Sequence, residues 1–170
     1  MERSQMVILG IDPGYAILGY GLLKHDRGSL TVLDYGVIET KPDRSFPERL
    51  ETLHRGMTML IERYKPDHIV FEELFFYHNA KTAIQVAAGR GVALLAAQQA
   101  GLPLYEYTPM QIKLSVTGDG HADKQQVQTM VKLLLKLKEV PKPDDAADAL
   151  GAAICHASAI GPTREEYRIK

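Results

Sequence analysis

The sequence predicts a three-layer α/β fold in which one mixed sheet carries helices on both faces. Three observations predict it. Short apolar runs suited to buried strands lie at 7–12, 68–71 and 104–107. Stretches with apolar residues at helical spacing follow the first and separate the later two. The first quarter of the chain holds a strand–turn–strand signature with no helix inside it. The resulting order, βββ-α-β-α-β-α-α, is that of one α/β domain with five strands.

Each element has its own signal. Residues 7–12 form an apolar run ending on Asp12, and Pro13-Gly14 turns the chain. Residues 16–24 and 29–40 are rich in Leu, Val, Ile and Tyr, and Asp26-Arg27-Gly28 between them marks a hairpin. Ser45-Phe46-Pro47-Glu48 has the pattern of a capping box with proline in the first turn. Leu50, Leu53, Met57, Leu60, Ile61 and Tyr64 then keep helical spacing until Lys65-Pro66-Asp67 stops them. Residues 68–71 form a short buried strand with Glu72 at its C-terminal end. Residues 79–100 form a long helix rich in Ala and Gly, so another helix, from this chain or a second subunit, can approach closely. Gly101-Leu102-Pro103 ends it, and 104–107 is the last strand. A short helix starts at Pro109. After Gly118-Asp119-Gly120, the residues Val127, Met130, Val131, Leu134 and Leu135 mark another helix, broken by Pro141 and Pro143. Residues 144–159 form the last helix. The domain is expected over 1–160, with a polar, loose tail over 161–170.

Composition narrows the function. A chain of 170 residues with 45% apolar and 24% charged residues can bury a sizeable core, which argues against disorder. No apolar run approaches the roughly 20 residues of a membrane span, and the first residues lack a signal-peptide apolar region. The lone Cys155 cannot form an internal disulfide, so a reducing cytoplasm is the expected compartment. The net charge of -1 gives no global attraction to nucleic acid. Between 111 and 142, however, Lys113, Lys124, Lys132, Lys136, Lys138 and Lys142 outnumber Asp119, Asp123 and Glu139. On charge alone an ordinary solvated helix face is the favoured reading of that stretch.

The chemistry resides in acids from three distant places. Asp12 and Glu72 end apolar strands, and functional groups gather at strand ends in α/β sheets. Asp145 and Asp148 lie three apart on a helix and share a face. Asp144 and Asp148 satisfy the same spacing, so geometry alone does not choose. Asp144 after Pro143 suits an N-cap, which favours Asp145 for the site. Crowded carboxylates need a compensating charge. Hard oxygen donors without a His or Cys cluster favour Mg²⁺ or Mn²⁺, and two such ions can activate water and stabilise the leaving oxygen of a phosphodiester. Taken singly, Asp12 is equally a turn residue, Glu72 an edge-strand charge, and the helix acids partners of the helix dipole. Gly118-Asp119-Gly120 is not a phosphate loop, since no Gly-Lys-Ser/Thr follows. The six histidines lack metal-ligand spacing, and Cys155 reads as core.

Ile11-Asp12-Pro13-Gly14 with Gly19-Tyr20-Gly21, Glu72 through Asn79-Ala80, and Asp145-Ala146-Ala147-Asp148-Ala149-Leu150 resemble, in order and spacing, the RuvC family of bacterial Holliday junction resolvases. The resemblance implies an RNase H-like fold and a symmetric homodimer whose helix from Asn79 pairs the subunits. It implies Mg²⁺-dependent nicking of two like-polarity strands of a four-way DNA junction in recombination and repair, alongside a branch-migration motor. Asp12, Glu72, Asp145 and Asp148 fall on the family's catalytic acids; Glu72 rather than Glu73 directly follows the strand. Phe75 falls on an aromatic that stacks on unpaired bases, and Lys113 and Lys124 fall on DNA-binding positions. Near-neutral total charge departs from the expectation for a DNA binder. Three rivals stand beside this reading: another RNase H-like nuclease, an actin-like ATPase suggested by Asp12-Pro13-Gly14, and a non-catalytic junction binder.

Overall fold

The computed structural model describes residues 5–74, 79–159 and 161–170. Five strands form the sheet: β1 (Gln5–Asp12), β2 (Ile17–Asp26), β3 (Ser29–Glu39), β4 (His68–Glu72) and β5 (Leu104–Tyr107). Their spatial order is β3-β2-β1-β4-β5. The first three run antiparallel in sequence, and β4 and β5 are parallel to β1. Arg27 and Gly28 both adopt positive φ, the conformation a two-residue hairpin loop with the right twist requires. β2 runs two residues past the expected end at 24, since Asp26 still pairs with Ser29 of β3, while β3 ends at Glu39, one residue before the expected end at 40.

Alternation along the strands divides the core in two. Leu9, Ile11, Leu22, Ile69 and Phe71 face α1 (Phe46–Tyr64) and α2 (Ala80–Gln99). Ile8, Leu23, Val70, Tyr105 and Tyr107 face α3 (Pro109–Thr117), α4 (Lys124–Leu134) and α5 (Asp144–Ser158). The predicted capping box of α1 is present, with Ser45 and Glu48 bonding each other's backbone amides. α3 and α4 each carry one too, built on Thr108 with Gln111 and on Asp123 with Gln126.

α5 lies against the sheet at backbone contact distance. A Cβ at Gly10 would sit 2.1 Å from the Ala149 carbonyl oxygen, and one at Gly19 would sit 2.1 Å from that of Asp145. At Gly21 it would run into Leu150. The alanines of α5 complete the fit on the helix side, where Ala146, Ala149, Ala152 and Ala153 are fully buried.

Two expectations are corrected. Asp144 does not cap α5. Pro143 holds the N-cap position without a side-chain bond, and Asp144 is the first helical residue. Flanking lysines draw its carboxylate outward, with Lys142 at 3.0 Å and Lys124 at 3.4 Å. The tail is not loose either. Glu106 N–H donates to the Tyr167 carbonyl and Ile169 N–H to that of Leu104, which caps the outer edge of β5. A short helix, α6 (Pro162–Glu165), precedes that pairing. The tail's polarity concealed Tyr167, whose ring packs 4.6 Å from that of Tyr107.

A buried polar chain lies under the same edge. His156 is fully buried; its Nδ1 is 2.9 Å from the Tyr107 hydroxyl and its Nε2 is 2.8 Å from Nδ1 of His68. Burial, the His68 ring and Arg164 push His156 far below its ordinary value of 6.5, so it is neutral in the folded protein. An unfolded chain takes up the proton below that ordinary value. The contribution to stability is therefore present above about pH 6.5 and is lost as pH falls.

Two outcomes follow. Gly10→Ala should lower unfolding free energy by about 1–3 kcal/mol, since the new methyl meets backbone rather than a movable side chain; denaturant titration measures this. Between about pH 7 and about pH 5 the parent should lose stability more steeply than His156→Gln, by up to about 1.4 kcal/mol per pH unit. Urea melts across that range give the two slopes, and parallel slopes would exclude the buried neutral histidine.

Candidate active site

Period-two alternation directs the acids. In β1, residues 8, 10 and 12 share the face that meets α5, and in β4 residues 70 and 72 share it. β1 and β4 are parallel, with Ile11 opposite Phe71, so Asp12 and Glu72 emerge side by side one residue later. The close approach of α5 brings its first two turns over the same strand ends. Asp12, Glu72, Asp145 and Asp148 consequently line one pocket of about 540 Å³. Of the two candidates that spacing left open, Asp145 lines the pocket and Asp144 does not.

The electrostatics follow from that crowding. Burial, then the charges of Glu72, Asp148 and Asp145, push the Asp12 carboxyl up to about 9. Burial and Asp148 raise Glu72 to about 7, against the opposing pull of Lys113 and Lys124. The Asp12 and Glu72 side chains are close enough to act directly on each other. Asp148 is also raised by burial, offset in part by Lys124, whose Nζ lies 3.7 Å from its carboxylate.

The predicted basic residues divide. Lys124 opens α4 and forms part of the pocket wall. Lys113, half-buried on α3, is not part of the wall, but its charge reaches Glu72. Phe75 lies outside the described residues, as do Phe76 and Tyr77. Other pocket residues escaped the sequence reading. Tyr15, Ala16 and Ile17 form one side, and Thr82 and Val86 of α2 form another. Only their nearness to Asp12 or to the helix start at Asn79 could have signalled them.

The donor set fits a hard divalent cation: among the described residues, the pocket is lined by five carboxylates, the four expected acids and Glu73, and by no His or Cys. Among the described residues, no three His, Cys, Asp or Glu side chains are drawn into a ligand shell. Asp148 is paired with Lys124, while Asp12 faces the charges of Glu72, Asp148 and Asp145, so the carboxylates repel one another. Shared repulsion of this kind is what a bound cation relieves. Among the described residues, no helix is long and apolar enough to cross a membrane.

Known proteins with this arrangement are close at hand. The family model for crossover junction endodeoxyribonuclease RuvC matches residues 8–156. The crossover junction endodeoxyribonuclease RuvC of Alkaliphilus oremlandii is 52% identical over 165 residues, covering 97% of this chain and 100% of that protein. A Thermus thermophilus RuvC structure superposes with a TM-score of 0.84 at 37% identity, over 96% of this chain and 98% of the other. T. thermophilus RuvC in complex with a Holliday junction substrate gives 0.81 at 37% identity, over 89% and 92%. The RNase H-like architecture expected from the motifs is therefore the observed one. With the family model matched over residues 8–156 and about half of its residues shared with a curated relative across nearly the whole length, the chain belongs to the RuvC family of crossover junction endodeoxyribonucleases.

Proposed function

We propose that this chain resolves four-way DNA junctions by paired, metal-dependent nicks in strands of like polarity, in recombination and repair. The observation that carries the reading is the single pocket lined by Asp12, Glu72, Asp145, Asp148 and Lys124. The family is one of metal-dependent nucleases. Asp12, Glu72, Asp145 and Asp148 would hold Mg²⁺, with Mn²⁺ as a substitute and two ions per site. The bound cation would supply Lewis-acid polarisation of the phosphate and a water of lowered pKa.

The chain's own groups do the rest. The acids repel a DNA backbone, so lysines must offset that repulsion where charge develops on the phosphate. Lys124 is suited to this by its position on the pocket wall, and Lys113 by the reach of its charge to Glu72. Phe75 is the candidate for stacking on a base where the junction opens. The substrate is selected mostly through shape and backbone contacts.

Pairing of the nicks requires a second active site. A homodimer is supported by α2, where Ile84, Ala87, Gly91 and Leu95 form one exposed apolar stripe at helical spacing. Ile84 is 67% and Leu95 52% exposed, and they lie on the same face of the helix. A branch-migration motor as partner, and a cytoplasmic location, follow from the family and from the lone buried Cys155.

A synthetic four-way junction and a linear duplex of the same sequence, each with and without Mg²⁺, test the reading. Symmetric nicks on the junction alone, and only with the cation, are expected. Equal cleavage of the duplex would favour a different RNase H-like nuclease. Asp12→Asn and Asp148→Asn should abolish nicking while leaving junction binding intact in metal-free buffer; residual cleavage near the parent rate would remove both from the chemistry. Junction affinity should fall steeply with salt, and Lys124→Ala should flatten the log–log slope by about 1, as one lost phosphate contact does. An unchanged slope would free Lys124 from that role.

A further inference from the structure

The turn that joins Asp12 to β2 is held by a clamp that none of the acids belongs to. Thr40 follows the last residue of β3 and is 5% exposed. Its hydroxyl donates to the Tyr15 carbonyl at 2.8 Å and accepts from Arg49 Nε at 2.9 Å. Its backbone N–H donates to the Ala16 carbonyl at 2.9 Å. The guanidinium carbon of Arg49, in the second turn of α1, lies 4.0 Å from the Tyr15 ring centroid. Phe46, from the first turn of α1, closes the far side of that ring at 5.5 Å. α2 presses on the same turn from another direction, since a Cβ at Gly89 would sit 2.6 Å from the Gly14 carbonyl oxygen.

These contacts converge on three residues. Gly14, Tyr15 and Ala16 line the acidic pocket together with Asp12. Asp12 is the last residue of β1, so its ladder partners hold it on one side only, and the turn sets the other. The turn must keep its place when a phosphate and a cation enter, because the cation pulls on the Asp12 carboxylate and the phosphate repels it. A hydroxyl that donates once and accepts once, with a guanidinium fork stacked on an aromatic ring, resists displacement in two directions.

We propose that Thr40 and Arg49 are positioning residues for strand cleavage, fixing the turn after Asp12 so that its carboxylate stays in register with Glu72 and Asp148. The inference rests on the junction-nicking function proposed above. It predicts an effect on the chemical step and on use of the cation, with little effect on recognition of the junction.

The test uses four variants in the full chain. Thr40→Val keeps the volume and deletes both hydroxyl bonds; Thr40→Ser keeps them. Arg49→Ala deletes the fork and the stacking, whereas Arg49→Lys keeps only the charge. Leu60→Ala, in the same layer but at the far end of α1, serves as a control for lost stability. Single-turnover nicking, the Mg²⁺ concentration for half-maximal rate, metal-free junction affinity and melting temperature are measured for each. Thr40→Val and Arg49→Ala should nick about ten- to hundredfold more slowly, the scale of a misplaced reacting group. Their half-maximal Mg²⁺ concentration should rise several-fold and their junction affinity stay within about twofold of the parent. Thr40→Ser should match the parent, and Arg49→Lys should fall with Arg49→Ala. A Thr40→Val protein that nicks at the parent rate overturns the clamp. So does a rate loss no greater than that of Leu60→Ala at matched melting temperature, or one explained wholly by weaker junction binding. A parent that fails to nick the junction overturns the functional reading and the clamp with it; a parent that nicks beside variants that nick equally well overturns the clamp alone.

Discussion

The rest of the structure depends on how closely α5 lies on β1 and β2. Gly10, Gly19 and Gly21 leave the sheet bare where the helix crosses, and the helix backbone occupies the space their side chains would take. Backbone packed on backbone leaves almost no freedom in height or angle. The next residue of β1 on that face is Asp12, and the first two turns of α5 carry Asp145 and Asp148. Parallel pairing of β1 with β4 then puts Glu72 alongside. Acids more than 130 residues apart in sequence meet because three elements have one way to fit together.

That convergence is unfavourable on its own terms. Burial in the pocket, together with the neighbouring like charges, drives the Asp12 and Glu72 carboxyls upward. Lys124 offsets only part of the charge, because it is exposed and divided between Asp148 and Asp144. The two apolar cores on either side of the sheet supply the stability that tolerates such a site. The strain is electrostatic rather than conformational, and its sign matches the cargo: it selects for positive charge.

Much of this was legible in the sequence for a physical reason. Strand and helix periodicities are local, so the five strands, the hairpin at Arg27-Gly28 and the capped start of α1 could be read directly. Asp12 and Glu72 were legible because an acid ending an apolar run is a local anomaly. Asp145 could not be separated from Asp144 by spacing; the choice turns on where Lys124 and Lys142 sit, which only the fold decides. The tail was misread because its anchoring depends on Tyr167 meeting Tyr107 and on an open edge of β5, neither visible from its own composition. Thr40 and Arg49 left no trace, since a buried threonine after a strand and an arginine early in a helix are ordinary residues until their partners are known. Phe75 falls outside the described residues.

The uncapped start of α5 completes the logic of the site. Pro143 offers no side chain to the first amides of the helix, so no side-chain cap fixes how its first turn is aimed. The aim comes from Gly10 and Gly19 beneath it, and at its far end from His156, sealed between Tyr107 and His68. A side-chain cap would have neutralised the positive end of the helix dipole locally. Without one, that end stands beside Asp144 and Asp145 and stabilises the carboxylates the helix itself carries. α5 thus delivers two negative charges to the pocket together with part of the field that lets them remain there.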